Sequence, residues 1–488
     1  MLEKPKDSKE KLKVLLVSTE VAPYIKSGGL GDVAGSLPKE LKKEGVDIRV
    51  CFPKYKDINY GLINGLTHVM NLKTSLGWRD LDASVYSFDD GVKNYLIDNS
   101  YYFYRSGLYG YSDDYERFAF FTKVSIEFLF SIGWSPDVIH FNDWQTGLGP
   151  IYLNDLYRGY SFYEKVKSVY TIHNLQYQGI FGGLILGDVG LDGGYFRPDK
   201  LEYYGNISYM KGGIVYADKI GTVSRTYAHE IQTPSYSYGM DGVLRARQAD
   251  ITGIINGIDY SENNPEYDAR LVSNYNAENL AKKHDNKMAL QAELGLMRTD
   301  APLIAIVSRL VDQKGLDLLA FIMDELMHKD IQMVVLGTGE SRYENMFKHY
   351  AWRFRHKMAA CISFDAALAQ RIYAASDMFL MPSLFEPCGL GQMIAMRHGS
   401  VPVVRRTGGL NDTVSGYNYE TGEGTGFVFN DYDAHGLMWA VNEALHCYSN
   451  EPKHWRKIVE NCMKSDFSWQ RSAEEYIEMY EQIRASAG

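Results

Sequence analysis

Short apolar runs punctuate the first half of the chain. Val14–Ser18, Asp47–Phe52, Asp137–Phe141, Ser168–Ile172 and Lys219–Val223 are rich in Val, Ile, Leu and Phe. Runs of this length read as buried strands of a parallel sheet. After the first run, Gly31–Glu44 carries Val33, Leu37 and Leu41 four residues apart and is closed by Gly45. That spacing predicts an amphipathic helix with a glycine stop. Strand, glycine loop, helix is the opening of a doubly wound α/β sheet. The pattern restarts near residue 300. Leu303–Val307, Gln332–Leu336, Met378–Met381 and Val401–Val404 read as strands and Gly315–Leu326 as a helix. The stretch between the halves, Asn256–Asn264, is polar and turn-rich, which places a boundary near residue 253. No repeat of 20–50 residues is visible.

A chain of 488 residues exceeds what one core organises, in keeping with two domains. Hydrophobic residues make up 45% and charged residues 23%, which excludes a disordered or collagen-like chain. The net charge of −10 argues against a nucleic-acid binder. Cys51, Cys361, Cys388, Cys447 and Cys462 form no C-x-x-C pair, the usage of a reducing compartment without structural zinc. The first thirteen residues are rich in Lys and Glu and show no secretory h-region. The longest apolar stretch, Phe118–Trp134, is broken by Lys123 and Glu127, so no membrane span is expected.

Known cofactor fingerprints are missing. Gly337-Thr-Gly339 is followed by Arg at position 342, so the dinucleotide pattern fails there, and the P-loop pattern is absent. No H-E-x-x-H or similar cluster points to a metal. Neither a cofactor nor a metal is therefore expected. Lys26-Ser-Gly28-Gly29-Leu-Gly-Asp32 lies between the first strand and the first helix, and Thr407-Gly408-Gly409-Leu-Asn-Asp412 follows Val401–Val404. Paired glycines let backbone N–H groups approach an anion, and the same motif also serves as an ordinary strand-to-helix turn. Arg309 and Lys314 sit just beyond Leu303–Val307, where open α/β sheets bind ligands, and two such cations can neutralise a diphosphate. His140 and Asp143 follow Asp137–Phe141, His173 follows Ser168–Ile172, and Glu386 and Cys388 follow Met378–Met381. A lone histidine is more often a core residue than a ligand. Cys388 lacks a His–Asn partner pattern, so it reads as a pocket residue rather than a nucleophile.

These motifs, together with Thr171-Ile-His173-Asn174-Leu-Gln-Tyr177-Gln-Gly179, Ile255-Asn256-Gly257-Ile-Asp259, Glu386-Pro-Cys388-Gly389-Leu390 and Asp466-Phe-Ser468-Trp469, resemble the bacterial glycogen synthases and plant starch synthases. The matches run in order from about residue 14 to 480. The resemblance implies a B-type glycosyltransferase with two Rossmann-like doubly wound α/β domains facing across a cleft. It implies an N-terminal domain over 1–252, a nucleotide-sugar domain over 253–468, and a last helix over 469–488 that returns to the N-terminal domain. The implied reaction moves glucose from ADP-glucose to the 4-hydroxyl at the non-reducing end of an α-1,4-glucan, glycogen or a maltooligosaccharide, with retention and no cofactor. Implied catalytic residues are His173, Glu386, Arg309, Lys314 and Asp143. Implied donor contacts are Lys26, Gly28, Gly29, Asp32, Asn256, Phe364, Cys388, Gly389, Leu390, Thr407, Gly408 and Gly409. Tyr101, Tyr104 and Tyr109 form a tyrosine-rich patch able to stack on glucan.

Two departures from the family pattern bear on the donor. Ile394 stands where related B-type transferases often carry a second Glu for ribose, and Phe364 where they often carry Tyr. The competing readings are a transferase using UDP-glucose or another acceptor, and a sugar-nucleotide epimerase on the same fold. No nucleic-acid or membrane partner is expected, a homo-oligomer is left open, and a bacterial cytoplasmic setting is favoured over a plastid one.

Overall fold

The computed structural model describes residues 11–486; the first ten residues, on which part of the leader-peptide expectation rests, lie outside them. The chain divides into two compact units. One holds the chain up to Val223, then Ala228–Gly257 and Trp469 onward; the other holds Ser224–Tyr227 and Ile258–Ser468. Apart from the short segment Ser224–Tyr227, the chain changes unit after Gly257 and after Ser468, where the sequence placed boundaries at 252 and 468.

The first unit is built from twelve strands: β1 (Lys13–Val17), β2 (Asp47–Pro53), β3 (Thr67–Leu76), β4 (Arg79–Asp89), β5 (Lys93–Asp98), β6 (Val138–Asn142), β7 (Lys167–Ile172), β8 (Ile180–Gly182), β9 (Glu202–Tyr203), β10 (Asn206–Ser208), β11 (Lys219–Thr222) and β12 (Ile251–Gly253). Nine of them form one sheet in the order β12-β11-β7-β6-β1-β2-β5-β4-β3. Pairing is parallel from β12 to β5, while β4 and β3 add an antiparallel extension. The four apolar residues Val14–Val17 are fully buried, which is why their run was readable. The helix Gly29–Lys43 buries Val33, Leu37 and Leu41, the face its spacing predicts. The helix Trp469–Ala485 belongs to this unit: Tyr480 Oη lies 2.7 Å from His140 Nδ1, and a Cβ on Gly257 would stand 2.7 Å from the Trp469 backbone. A small antiparallel sheet, β8-β10-β9, follows the end of β7.

The second unit carries one sheet of six strands, β13 (Leu303–Val307), β14 (Gln332–Leu336), β15 (Met358–Cys361), β16 (Met378–Met381), β17 (Val401–Arg405) and β18 (Phe427–Phe429). Their order is β15-β14-β13-β16-β17-β18, parallel throughout. The helices Leu316–His328, Ala366–Ala375 and Ala434–Asn450 contribute to its continuous apolar core.

Each sheet has one point where successive strands run off in opposite directions, between β1 and β6 in the first unit and between β13 and β16 in the second. Ligands of open α/β sheets sit at the carboxyl ends of such strands. The residues that follow β1, β6, β13 and β16 therefore stand at the ligand-binding edges of the two sheets.

Candidate active site

In the first unit, the loop after β1 folds around Glu20, a residue with 3% exposure that the motifs did not single out. One carboxylate oxygen accepts the Ser27 and Gly28 N–H groups, the latter at 3.1 Å, and the other accepts the Ser27 hydroxyl at 2.7 Å and Tyr109 Oη at 2.6 Å. The Gly28 N–H is thus held by the chain's own carboxylate. Tyr109, half-buried, gives its hydroxyl to that carboxylate. Tyr101 and Tyr104 remain 69% and 70% exposed. Lys26 pairs with Asp32 at 2.7 Å on the surface. A Cβ added to Gly28 or Gly29 would meet nothing within 4 Å. No packing demand of the protein explains these two glycines.

After β6, Asn142 and Asp143 organise the loop that carries His173. Asp143 has a left-handed backbone, φ 56°, and its Oδ1 accepts the His173 N–H at 2.7 Å and the Asn174 N–H at 3.4 Å. His173 Nε2 donates to Asn142 Oδ1 at 2.9 Å, the amide oxygen fixing the tautomer. Burial lowers the His173 pKa to about 3, so the ring is neutral at physiological pH. Burial also raises Asp143 to about 7, against the two backbone N–H bonds that favour its charged form and with some help from Glu20. With its N–H and Nε2 engaged, His173 has its carbonyl oxygen and Nδ1 left, among the described residues, to meet a ligand. His140 is a satisfied core residue between Tyr480 and Thr171 Oγ1. Asn256 is 4% exposed, and its Oδ1 has no hydrogen-bond partner among the described residues.

In the second unit, the loops after β13, β16 and β17 lock together through backbone. Gly315 has φ 68°, and a Cβ there would stand 1.9 Å from Pro382 O. This close approach brings Lys314 Nζ to 2.6 Å from Glu386 Oε2, which also accepts the Ser383 hydroxyl at 3.1 Å. Gln313 bridges the loops: its carbonyl accepts the Leu384 N–H at 2.9 Å, and Arg309 Nη2 donates to its side-chain oxygen at 3.3 Å. Arg405, missed in the sequence because it ends a buried strand, holds Leu384 O at 2.6 Å and Ser383 O at 3.3 Å. Glu386 Oε1 and two Lys314 protons are left for a ligand.

The second glycine pair behaves differently from the first. A Cβ on Gly408 would stand 1.9 Å from Glu386 O, and one on Gly409 would stand 2.0 Å from Cys388 O. Gly409 N–H donates to Glu386 O at 3.0 Å. The expectation that this pair offers free N–H groups to an anion is corrected for Gly409: the residue is a glycine because another backbone touches it. Thr407 and Cys388 are buried at 0% and 5% exposure, Leu390 directly follows Gly389, and Gln392 Nε2 donates to Cys388 O and Gly389 O. Asp412 Oδ2 accepts the Thr226 N–H at 2.9 Å. Phe364, after β15, is 84% exposed. Gly337 and Gly339, remnants of the failed dinucleotide pattern, would place Cβ atoms 1.9 Å from Ser308 O and 2.2 Å from Leu310 O, so they serve the Arg309 loop. Among the described residues no cluster of His, Cys, Asp and Glu could hold a metal ion, and no helix is long and apolar enough to cross a membrane.

Two Rossmann-like units, each with its polar residues on the switch-point loops, give the two-domain α/β fold of the B-type glycosyltransferases. Residues 13–246 match the family model of the starch synthase catalytic domain, and 291–461 that of glycosyl transferases group 1. A glycogen synthase of Clostridioides difficile is 51% identical over 97% of this chain and 100% of its own. One of Clostridium acetobutylicum is 49% identical over 96% and 99%. The solved catalytic domain of starch synthase IV from Arabidopsis thaliana, bound to ADP and acarbose, superposes with a TM-score of 0.92 at 34% identity, covering 98% of this chain and all of that one. The chain belongs to the glycogen synthase and starch synthase family and is a glycosyltransferase. A sucrose-phosphate synthase from Thermosynechococcus elongatus shares the fold, at 16% identity and a TM-score of 0.62.

Proposed function

We propose that this chain transfers glucose from ADP-glucose to the 4-hydroxyl at the non-reducing end of an α-1,4-glucan, with retention at the anomeric carbon. The observation that carries the reading is the second unit's switch point, where Lys314 and Glu386 are paired and Arg309 lies in the same loop as Lys314. One such site supplies cations for a leaving diphosphate and a carboxylate for sugar hydroxyls. The bond from the anomeric carbon to the distal ADP phosphate breaks, and its electron pair leaves with the phosphate. Arg309 grips that charge with two N–H groups and Lys314 meets it as a point charge. The acceptor 4-oxygen bonds to the anomeric carbon on the same face, and its proton passes to the departing phosphate oxygen. Glu386 Oε1 holds glucose hydroxyls. The His173 carbonyl and Nδ1 face the sugar as it gains positive character, and Asp143 positions that loop. Gly28, Gly29 and Lys26 border the donor, Phe364 stacks on adenine, and Asn256 supplies an amide. Cys388, Gly389, Leu390, Thr407 and Gly408 shape the second unit's pocket wall. Tyr101 and Tyr104 meet glucan.

Support comes from relatives named glycogen synthase and from a structural neighbour holding ADP and acarbose. The bacterial cytoplasm is the proposed setting. Incubating the enzyme with ADP-glucose or UDP-glucose, each with and without glycogen, and reading nucleotide release tests the reading. Release that needs both ADP-glucose and glycogen is expected. Release only from UDP-glucose, or sugar-nucleotide conversion without acceptor, would overturn it.

A further inference from the structure

Three non-glycine residues of the described chain have a left-handed backbone: Asp143, Tyr204 and Tyr238, at φ 56°, 48° and 50°. Asp143 holds the backbone of the His173 loop. Tyr238 is bonded to that same loop, and Tyr204 is tied to it through Tyr203 and Gly239. Gln178 Nε2, five residues after His173, donates to Tyr238 O at 3.2 Å, and the Tyr203 hydroxyl donates to the same carbonyl. A Cβ on Gly239 would lie 3.2 Å from the Tyr204 ring. Ser208 Oγ donates to Gln178 O at 2.9 Å, and Tyr209 N–H to Gly179 O at 3.0 Å, which anchors β10 to the loop. Residues 177–179, 203–205 and 237–239 are thus one assembly.

Tyr204 and Gly205 link β9 to β10, and both have positive φ. That is the pattern of a two-residue hairpin turn whose first central position prefers Asn, Asp or Gly. Tyrosine is a poor residue there, and packing returns little: Tyr204 is 77% exposed, with its ring edge-on to Tyr203 at 4.8 Å between centroids. Tyr238 repeats the pattern before Gly239, also with positive φ, and is 41% exposed; Tyr177 is 49% exposed. Strained backbone of this kind clusters at active sites and ligand clamps. All three rings are uncharged and carry a hydroxyl, a surface suited to a sugar's C–H face and hydroxyl edge rather than to an anion.

We propose that Tyr177, Tyr204 and Tyr238 form a prebuilt rack for the acceptor glucan, gripping sugar units behind the one that receives glucose. This rests on the transferase reading, since it is that reading that puts a glucan end beside His173. Tyr204→Asn supplies the residue the turn prefers and removes the ring. The melting temperature should hold or rise, while KM for glycogen rises about tenfold with KM for ADP-glucose within about twofold. Tyr204→Phe should keep near-normal glycogen KM, and Tyr177→Ala should behave like Tyr204→Asn. Retardation in native gels containing glycogen reads binding without turnover, and Tyr204→Asn should lose most of it. An unchanged glycogen KM and gel shift in Tyr204→Asn and Tyr177→Ala would overturn the rack. So would a lowered melting temperature with donor and acceptor constants worsening together, which would make the tyrosines structural. A wild type that is retarded by glycogen, loses this with Tyr204→Asn, yet transfers no glucose would uphold the rack and sink the transferase reading instead.

Discussion

Replacing Lys314 with Ala tests two roles of one ammonium group. Its pair with Glu386 is largely dry: the Lys314 side chain is 16% exposed and that of Glu386 6%, at 2.6 Å. Removing the lysine leaves a buried carboxylate with only the Ser383 hydroxyl on Oε2. Breaking a buried pair costs about 3–5 kcal/mol, and the partly exposed lysine end puts this case near the lower figure. Adding Glu386→Gln removes the stranded charge and should return stability to within about 1 kcal/mol of wild type. Turnover should behave otherwise. Loss of a group that meets developing phosphate charge costs about 10²–10³ in rate, and the second substitution restores none of it. Urea unfolding followed by circular dichroism gives the stability of both variants, and nucleotide release gives their turnover. A single variant as stable as wild type would refute the dry pair. Activity recovered in the double variant would remove both Lys314 from the phosphate and Glu386 from the sugar hydroxyls.

Three further outcomes are expected. Burial raises the Asp143 pKa to about 7, so its protonated form favours the folded state; the stability this gives is complete below about pH 4 and is lost as pH rises through 7. Asp143→Asn should therefore match wild type at pH 4 and exceed it at pH 8, by at most about 4 kcal/mol, and parallel pH profiles in urea melts would refute the burial. Cys388→Ser should keep most activity, since the thiol is 5% exposed and is proposed only to line the pocket; a glucosyl adduct found on Cys388 by mass spectrometry would make it a nucleophile instead. Gly28→Ala should fold normally yet raise KM for ADP-glucose, whereas Gly409→Ala should lose about 3 kcal/mol or fail to fold; equal melting temperatures for the two would contradict the contacts.

Strand positions were legible where a strand is buried on both faces. Leu303–Val307, Gln332–Leu336 and Met378–Met381 end where the apolar runs end, because every turn outward needs a polar residue. The hairpin β3–β4 was not picked out although β3 alternates between covered and exposed positions from Met70 to Leu76, because three exposed residues, Thr67–Val69, precede the alternation and no compact apolar run marks the strand. The motif residues after β1, β7, β13 and β16 stood out through glycines and lone charges at strand ends. Glu20 and Arg405 did not, for opposite reasons. Glu20 carries its meaning only in what it accepts, the N–H groups of residues 27 and 28 and the Tyr109 hydroxyl 89 positions away. Arg405 looks like the polar stop of an apolar strand, although its guanidinium is spent on carbonyls of the β16 loop.

The two Gly-Gly-Leu loops show what a motif can and cannot carry. In sequence they are near copies, each after a strand and each with an aspartate three residues after its second glycine. In the second unit the absent Cβ atoms are demanded by Glu386 O and Cys388 O, so any side chain would push away the loop that positions Glu386. That glycine pair acts on chemistry only through another residue's placement. In the first unit nothing of the protein occupies the space before Gly28 and Gly29, although Glu20 already organises the loop. Selection for packing cannot account for two glycines facing empty space, and the entropy lost by ordering a glycine opposes keeping them there. A ligand that must come close to backbone at that point can account for them. The same three letters therefore record a fold constraint in one unit and, on the proposed reading, a substrate constraint in the other, and the contacts around the missing Cβ separate the two.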